Sequence, residues 1–200
     1  MEAGLEQSQN ELKELEQPEG KKTPVWLAFI SELAQTLILA LVLYFLIDSV
    51  VARVRVENIS MEPTLNPGEF ILVNKMAYRL GESSIGDIIV FHNPGNPQED
   101  YIKRVIGLPG DEVLVKNGVV YVNGMALTEN YISAPPAYTG AWQVPEDSLF
   151  VLGDNRNQSS DSHSWGYVPL VNVVGKALVI YWPLDEAKVL HPSTIVNAAQ

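Results

Sequence analysis

The chain has 200 residues, no cysteine and a formal net charge of -11 at neutral pH. Its length allows one modest domain beside a tail and a membrane anchor. The lack of cysteine excludes disulfides and thiolate metal sites. The acidic balance argues against a nucleic-acid partner, because no basic surface is available to meet phosphates.

The chain begins with a polar tail and continues with an apolar segment. Residues 1–24 are rich in Glu, Gln and Lys, which predicts a disordered or loosely helical tail. From Leu33 to Ile47 no residue is charged, and the apolar stretch reaches back to Trp26 with Glu32 as its one ionisable residue. About twenty such residues can cross a bilayer as a helix. We therefore predict a transmembrane helix over residues 25–48.

Two alternatives remain for this segment, a buried core helix and a cleaved signal peptide. The segment starts late, after the acidic tail, and no small-residue cleavage site follows it, which disfavours a signal peptide. Lysines and arginines are nearly balanced on its two sides, so charge favours a cytoplasmic N-terminus only weakly.

Residues 49–200 have the pattern of a β domain, with short apolar runs separated by Gly, Pro, Asn and Asp. Asn117-Gly118 and Asn123-Gly124 are typical of tight hairpin turns. Residues 135–145 predict a surface loop, and residues 74–80 predict at most a short helix. We therefore predict a mainly β fold that is closed or folded over to limit its free edges. The predicted strands cover residues 54–56, 70–73, 87–91, 101–106, 113–115, 119–122, 148–152 and 175–182.

Two segments of this domain carry residues suited to nucleophilic catalysis. Ser60 follows an extended segment and precedes a proline-containing turn, a place where a serine is more often a turn former. Lys103 lies in a predicted strand whose two faces both carry aliphatic residues, so that either it or Arg104 must point toward apolar packing. A buried lysine can lose its charge and act as a base for a serine. The alternative is an edge strand whose two cations reach water.

A third segment, residues 153–166, follows another predicted strand and is dense in hydrogen-bonding groups. Its Asp154, Arg156 and Asp161 are candidates for a charged network that supports a catalytic site, and its serine hydroxyls are further donors. The alternative is a surface loop that is polar for solubility alone.

Taken together, these segments resemble the bacterial type I signal peptidase family. Residues 60–65 match its nucleophile motif, residues 86–91 its Gly-Asp strand, residues 101–111 its lysine motif and residues 153–156 its Gly-Asp-Asn-Arg segment. The matches follow the family's order along the chain, which makes them far more specific together than singly. The resemblance implies a compact β-rich catalytic domain outside the cytoplasmic membrane, preceded by a single transmembrane helix.

The resemblance also implies a role for each matching residue. Ser60 is the nucleophile, Lys103 the general base, and Ser159 the serine that orients the lysine amine. The reaction removes signal peptides from exported preproteins at small-x-small sites such as Ala-x-Ala, and it needs no metal and no organic cofactor. The implied supporting network consists of Asp154, Arg156 and Asp161.

Two positions depart from the family pattern. Asn58 stands where many members have a serine that donates to the oxyanion, and an asparagine amide can donate as well. His163 stands where an arginine is common. We further expect apolar residues near the dyad to form shallow pockets that admit alanine and exclude larger side chains. These residues are Val54, Val56, Met61, Leu65, Tyr101 and Ile102.

Three rival hypotheses stay open. His163 is an alternative base, oriented by Asp161 or Asp154. A second hypothesis is a self-cleaving Ser-Lys regulator, although this chain has an anchor where such proteins carry a DNA-binding segment. A third hypothesis is an inert membrane-tethered module that binds partners. We expect exported preproteins and the lipid bilayer as partners of a single-pass protein in a bacterial plasma membrane, with its N-terminus in the cytoplasm. No oligomeric state is predicted.

Overall fold

The structure is a computed structural model that describes residues 24–192. The tail predicted over residues 1–24 therefore lies outside the described residues, apart from Pro24. The chain divides into two units, Met1–Leu46 and Ile47–Gln200.

One long helix, α1 (Val25–Val50), dominates the described part of the first unit and ends in the second. It has 26 residues, which at about 1.5 Å per residue span about 39 Å and exceed the roughly 30 Å apolar core of a bilayer. Its described side chains are exposed, and apolar ones occur on all sides of the helix, with Glu32 and Asp48 as its charged residues; apolar side chains all round are typical of a membrane span. Among the described residues, α1 is the one helix that is long and apolar enough to cross a membrane.

The second unit is built of antiparallel strands. Within residues 24–192 the strands are β1 (Val51–Arg55), β2 (Phe70–Asn74), β3 (Ile88–Asn93), β4 (Asn96–Gly107), β5 (Glu112–Lys116), β6 (Val119–Val122), β7 (Met125–Ala126), β8 (Gly140–Gln143), β9 (Ser148–Leu152), β10 (Val168–Pro169), β11 (Val173–Trp182) and β12 (Lys188–Val189). They form a larger sheet in the order β1-β2-β11-β3-β4-β9-β10, with β12 beside β11, and a smaller sheet in the order β7-β6-β5-β8. The predicted mainly β class is confirmed.

The larger sheet is covered on both faces, which explains the uninterrupted apolar sequence of β3. Side chains alternate between the faces of a strand, so Ile88 and Val90 join one core cluster while Ile89 and Phe91 join another. All four side chains are buried. A third cluster fills the space between the smaller sheet and residues such as Phe150 of β9.

The predicted Asn-Gly hairpins are confirmed. Asn117 and Gly118 have φ values of 53° and 77° in the turn between β5 and β6. Asn123 and Gly124 have φ values of 51° and 79° in the turn between β6 and β7. Two successive positive φ angles define the turn whose twist suits a two-residue hairpin, and Asn and Gly are the residues that tolerate them.

Two local expectations need correction. The loop predicted over residues 135–145 contains β8, which pairs with β5 and packs Trp142 on Phe150 with ring centroids 4.9 Å apart. This strand has only four residues, too few for a clear alternating pattern. The short helix expected over residues 74–80 is a single turn, α2 (Ala77–Leu80), and a second one-turn helix, α3 (Ser162–Trp165), was not predicted.

Candidate active site

Ser60 lies in the short 3-10 helix Ile59–Met61 that follows β1. Met61 and Leu65 are fully buried in the core, so the loop is anchored directly after the serine. On the other side, the Ser60 carbonyl accepts a hydrogen bond of 3.0 Å from the Asn155 backbone N–H. The backbone of the candidate nucleophile is therefore fixed by apolar packing and by a polar contact.

Lys103 of β4 brings its amine to this serine. Its Nζ lies 2.8 Å from Ser60 Oγ and 3.0 Å from the Ile102 carbonyl oxygen. The residue is only 4% exposed. Burial lowers the Lys103 pKa from 10.5 to about 8, although the negative charges of Asp161 and Asp154 act in the opposite direction. A substantial fraction of the amine is thus neutral in mildly alkaline solution, and a neutral amine can accept the serine proton.

Arg104, the next residue on β4, points to the opposite face and is also buried, at 2% exposure. Its Nε and NH2 groups donate to the two carboxylate oxygens of Asp154, at 2.8 and 2.6 Å. NH1 donates to the Gly86 carbonyl, and NH2 contacts the Thr64 hydroxyl at 3.4 Å. The apolar residues on both faces of the predicted strand required only one of the two cations to be buried, whereas both are buried, because each face of the sheet is covered.

Gly153 is the residue on which the predicted polar network converges. Its N–H donates to Asp161 Oδ2 at 2.8 Å, and its carbonyl accepts a hydrogen bond of 3.1 Å from Arg156 Nε. A Cβ at this position would lie 2.4 Å from the Ser60 carbonyl oxygen and 2.2 Å from Ser159 Oγ. The network therefore fixes the peptide unit against which the serine loop packs.

Two residues of this network were missing from the sequence analysis. Glu129 forms a two-bond ion pair with the buried Arg156 guanidinium. Tyr131 donates to Glu129 and places its ring 4.0 Å from the Arg104 guanidinium carbon. Both lie in the connection between β7 and β8, and no pattern in that part of the sequence predicts a contact with residues 153–166.

Ser159 lies beside Gly153 but does not contact Lys103 by a hydrogen bond. Its Oγ is buried and has no hydrogen-bond partner among the described residues. The expected orienting contact with the Lys103 amine is therefore not formed in this structure. The hydroxyl is positioned against the same peptide unit that packs on the Ser60 carbonyl.

A groove of about 700 Å³ opens beside Ser60 and Lys103. It lies between the end of β1 and the first half of β4, each of which has a strand partner on one side only within the described chain. Five of the six predicted pocket residues line it, and so does the exposed Asn58. Leu65 does not, because it is packed in the core beneath the serine loop. The five lining residues are Val54, Val56, Met61, Tyr101 and Ile102.

His163, the rival base, faces another part of the network. Its Nδ1 lies 2.6 Å from Asp161 Oδ1, and its ring stacks on Tyr138 with centroids 4.0 Å apart. It does not line the groove. Asp154, the other orienting residue in that hypothesis, is paired with Arg104.

The chain is similar to known proteins over most of its length. The family described as "Signal peptidase, peptidase S26" matches residues 30–182. The "Probable signal peptidase I-2" of Synechocystis sp. is 47% identical over 167 residues, which cover 80% of this chain and 76% of that protein. The "Signal peptidase I" of Leptolyngbya laminosa is 47% identical, covering 79% and 82%.

A more distant relative shares the same name. The "Signal peptidase I" of Bacillus caldolyticus is 42% identical over 146 residues, which cover 66% of this chain and 79% of that protein. The family match includes Ser60, Lys103 and the whole segment after β9. The chain therefore belongs to the signal peptidase family, peptidase S26, and is a serine peptidase of that family.

Proposed function

We propose that Ser60 and Lys103 are the catalytic dyad with which this chain removes signal peptides from exported preproteins. The observation that carries the proposal is the 2.8 Å contact between Lys103 Nζ and Ser60 Oγ. The amine is buried, and its pKa is lowered to about 8. A serine needs such a base within hydrogen-bond reach to attack an amide carbonyl.

In the proposed reaction, neutral Lys103 takes the Ser60 proton while Oγ attacks the carbonyl carbon of the scissile bond. The tetrahedral oxyanion accepts hydrogen bonds from the Ser60 N–H and from the Asn58 amide. The C–N bond then breaks, the lysine ammonium gives its proton to the leaving amine, and an acyl-enzyme remains. Water, deprotonated by Lys103, attacks the ester, and the proton returns to Ser60 as the ester breaks.

The groove suits a substrate in extended conformation. A peptide placed between β1 and the first half of β4 can pair with the strand edges that have no partner in the described part of the chain. Alternate side chains would then point to one side, where Val54 and Ile102, which pack against the same core cluster, form an apolar wall, while Tyr101 lies on the other face of β4. This arrangement supports specificity for small-x-small sites such as Ala-x-Ala.

The remaining predicted residues have supporting roles in this proposal. Asp154, Arg156 and Asp161 hold the segment after β9 against the serine loop. Ser159 is available to orient the Lys103 amine, since its buried hydroxyl has no hydrogen-bond partner within residues 24–192. These are positioning residues, because none of them contacts the Ser60 hydroxyl.

Membrane attachment belongs to the same proposal. The family relatives are bacterial proteins, and α1 is long and apolar enough for a single span. We place the chain in a bacterial plasma membrane, with the N-terminus in the cytoplasm and the β unit outside, where exported preproteins emerge. Digestion of spheroplasts by external protease should degrade the β unit and spare the N-terminal tail.

The decisive experiment is cleavage of an Ala-x-Ala preprotein in detergent by wild type, Ser60→Ala and Lys103→Ala. We expect both variants to lose cleavage while they remain folded. His163→Ala serves as the matched control and should keep measurable activity. If Lys103→Ala cleaves and His163→Ala does not, histidine is the base. An inactive, folded wild type that is not acylated by a serine-reactive inhibitor would favour the inert binding module.

A further inference from the structure

A second, smaller pocket of about 280 Å³ lies apart from the groove. Three basic side chains line it, from Lys75, Arg79 and His92, together with the Tyr78 ring. The apolar residues Leu170, Val173 and Val174 form the rest of its wall. A pocket that joins cationic donors to an apolar wall is suited to a ligand with an anionic head and an aliphatic continuation.

This pocket is located at the end of α1. The Lys75 backbone N–H donates to the Val50 carbonyl at 2.8 Å, and Lys75 Nζ donates to the Asp48 carbonyl at 2.7 Å. Both carbonyls belong to the last turn of the helix, where backbone acceptors have no partner within the helix. If α1 spans a bilayer, a side chain that caps its end lies at the depth of the lipid headgroups.

The two strongest cations of the pocket have no carboxylate partner. Among the described residues, neither Lys75 nor Arg79 forms an ion pair, and the Arg79 guanidinium contacts only the Met76 sulfur, at 4.0 Å. Of the carboxylates near the pocket, Asp48 meets Lys75 through its backbone carbonyl, and two others are engaged elsewhere. Asp100 lies 2.7 Å from His92 Nδ1, and Asp87 binds Lys176 and the Tyr78 hydroxyl. In a chain whose net charge is -11, two cations that form no ion pair among the described residues favour an anionic ligand.

The rim of the pocket is apolar and exposed on one side. Leu170 and Val171, in a short 3-10 helix before β11, are 41% and 91% exposed. Exposed aliphatic side chains next to cations are the combination found in segments that rest in the interfacial layer of a bilayer.

We propose that this pocket binds the anionic headgroup of a membrane lipid, with Lys75 and Arg79 donating to a phosphate or sulfate ester. The aliphatic part of the lipid lies against Leu170 and Val173. The site is separate from the catalytic groove and does not depend on the Ser60–Lys103 assignment.

Binding is measured by native mass spectrometry of the full chain in detergent, with phosphatidylglycerol or phosphatidylcholine added. We expect preferential retention of phosphatidylglycerol. Each juxtamembrane cation contributes about a fivefold change in affinity, so Arg79→Gln should weaken retention about fivefold and Lys75→Gln with Arg79→Gln should abolish the preference. The matched control is Lys116→Gln with Lys188→Gln, which removes two exposed charges outside the pocket and should leave the preference unchanged.

Arg79→Gln keeps the test independent of folding, because the Arg79 side chain is exposed and its one side-chain contact within the described residues is with the Met76 sulfur, at 4.0 Å. Equal retention of the two lipids, or an undiminished preference in Arg79→Gln, would overturn the proposal. Displacement of the lipid by an equal concentration of inorganic phosphate would assign the pocket to a free anion instead. Ser60→Ala should retain the lipid normally, so that failure of the lipid site and failure of the dyad are distinguished.

Discussion

Lys103 and Arg104 are consecutive buried basic residues on β4, but they lie on opposite faces of the strand and have different hydrogen-bond partners. Arg104 meets the Asp154 carboxylate through two hydrogen bonds. Lys103 has no carboxylate within ion-pair distance among the described residues, and it meets a serine hydroxyl instead. Burial alone therefore does not decide the role of a cation. A contacting counter-ion makes it structural, whereas the lack of one allows it to lose its proton.

The largest expected effect comes from making position 103 permanently charged. Lys103→Arg keeps a cation at the serine but cannot act as a base, so kcat should fall about 10⁴-fold, the upper range for loss of a general base. Lys103→Met is the matched control for packing, since it retains the aliphatic stem without the charge, and it should be inactive but fully folded. A Lys103→Arg enzyme within tenfold of wild type would refute the role of the neutral amine.

The structural role of Arg104 is tested by removing its counter-ion, Asp154. Asp154→Asn leaves the buried Arg104 guanidinium without a carboxylate, which should lower the free energy of unfolding by about 3–5 kcal/mol. The measurement is denaturant unfolding of the full chain in detergent. Asp185→Asn is the control, because Asp185 is exposed, and such a change should stay within about 0.5 kcal/mol. Similar stabilities for the two variants would mean that the ion pair is not what holds Arg104.

A smaller loss of catalytic rate is expected from a substitution at Gly153, which packs against the serine loop. A Cβ there would lie 2.4 Å from the Ser60 carbonyl oxygen, so Gly153→Ala must displace the serine loop or Ser159. A displacement of about 1 Å typically lowers catalytic rate about 10²-fold, and kcat should fall by that amount.

Gly95→Ala provides the control for this substitution. A Cβ at Gly95 would have its nearest neighbour at 3.6 Å, an ordinary contact, and kcat should not change. Normal kcat in Gly153→Ala would show that the serine loop tolerates the extra methyl group and is not held by close packing at that glycine.

The pH dependence of activity is expected to show the smallest effect, but it reports most directly on the protonation of Lys103, by which Lys103 differs from Arg104. Because the pKa of Lys103 is lowered to about 8, activity should rise about tenfold per pH unit below 8 and level off above it. The unfolded chain holds this proton up to a higher pH than the folded chain, so the residue's contribution to stability should increase as pH rises from 8 toward 10.5. Lys103→Met should lack that increase. A flat activity profile between pH 6 and 10 would contradict the lowered pKa.

The sequence predicted those parts of the molecule that depend on local patterns. The Asn-Gly turns need positive φ, and Ser60 and Lys103 lie within contiguous motifs, so both could be recognised from a few neighbouring residues. The mainly β class followed from the spacing of the strands.

The parts that were not predicted depend on contacts between distant segments. Glu129 pairs with Arg156 across 27 positions, and Arg104 pairs with Asp154 across 50; no local pattern indicates either contact. Leu65 was expected in the groove because it is apolar and close to Ser60 in sequence, but it turns inward to anchor the serine loop. The division into two sheets likewise follows from pairing between strands that are not neighbours in sequence.

The two strand edges beside the groove also bear on how copies of this protein meet one another. An unpaired strand edge invites pairing with the same edge of a second molecule, and charged side chains are a common defence against it. Exposed carboxylates stand on both rims, from Glu57 after β1 and from Glu99 and Asp100 on β4. Because β1 also carries the exposed Arg53 and Arg55, like charges would meet only where two copies approached through their β4 edges, whereas a neutral extended segment meets no such repulsion. The carboxylates of Glu99 and Asp100 thus oppose pairing of two copies through the β4 edge that borders the groove.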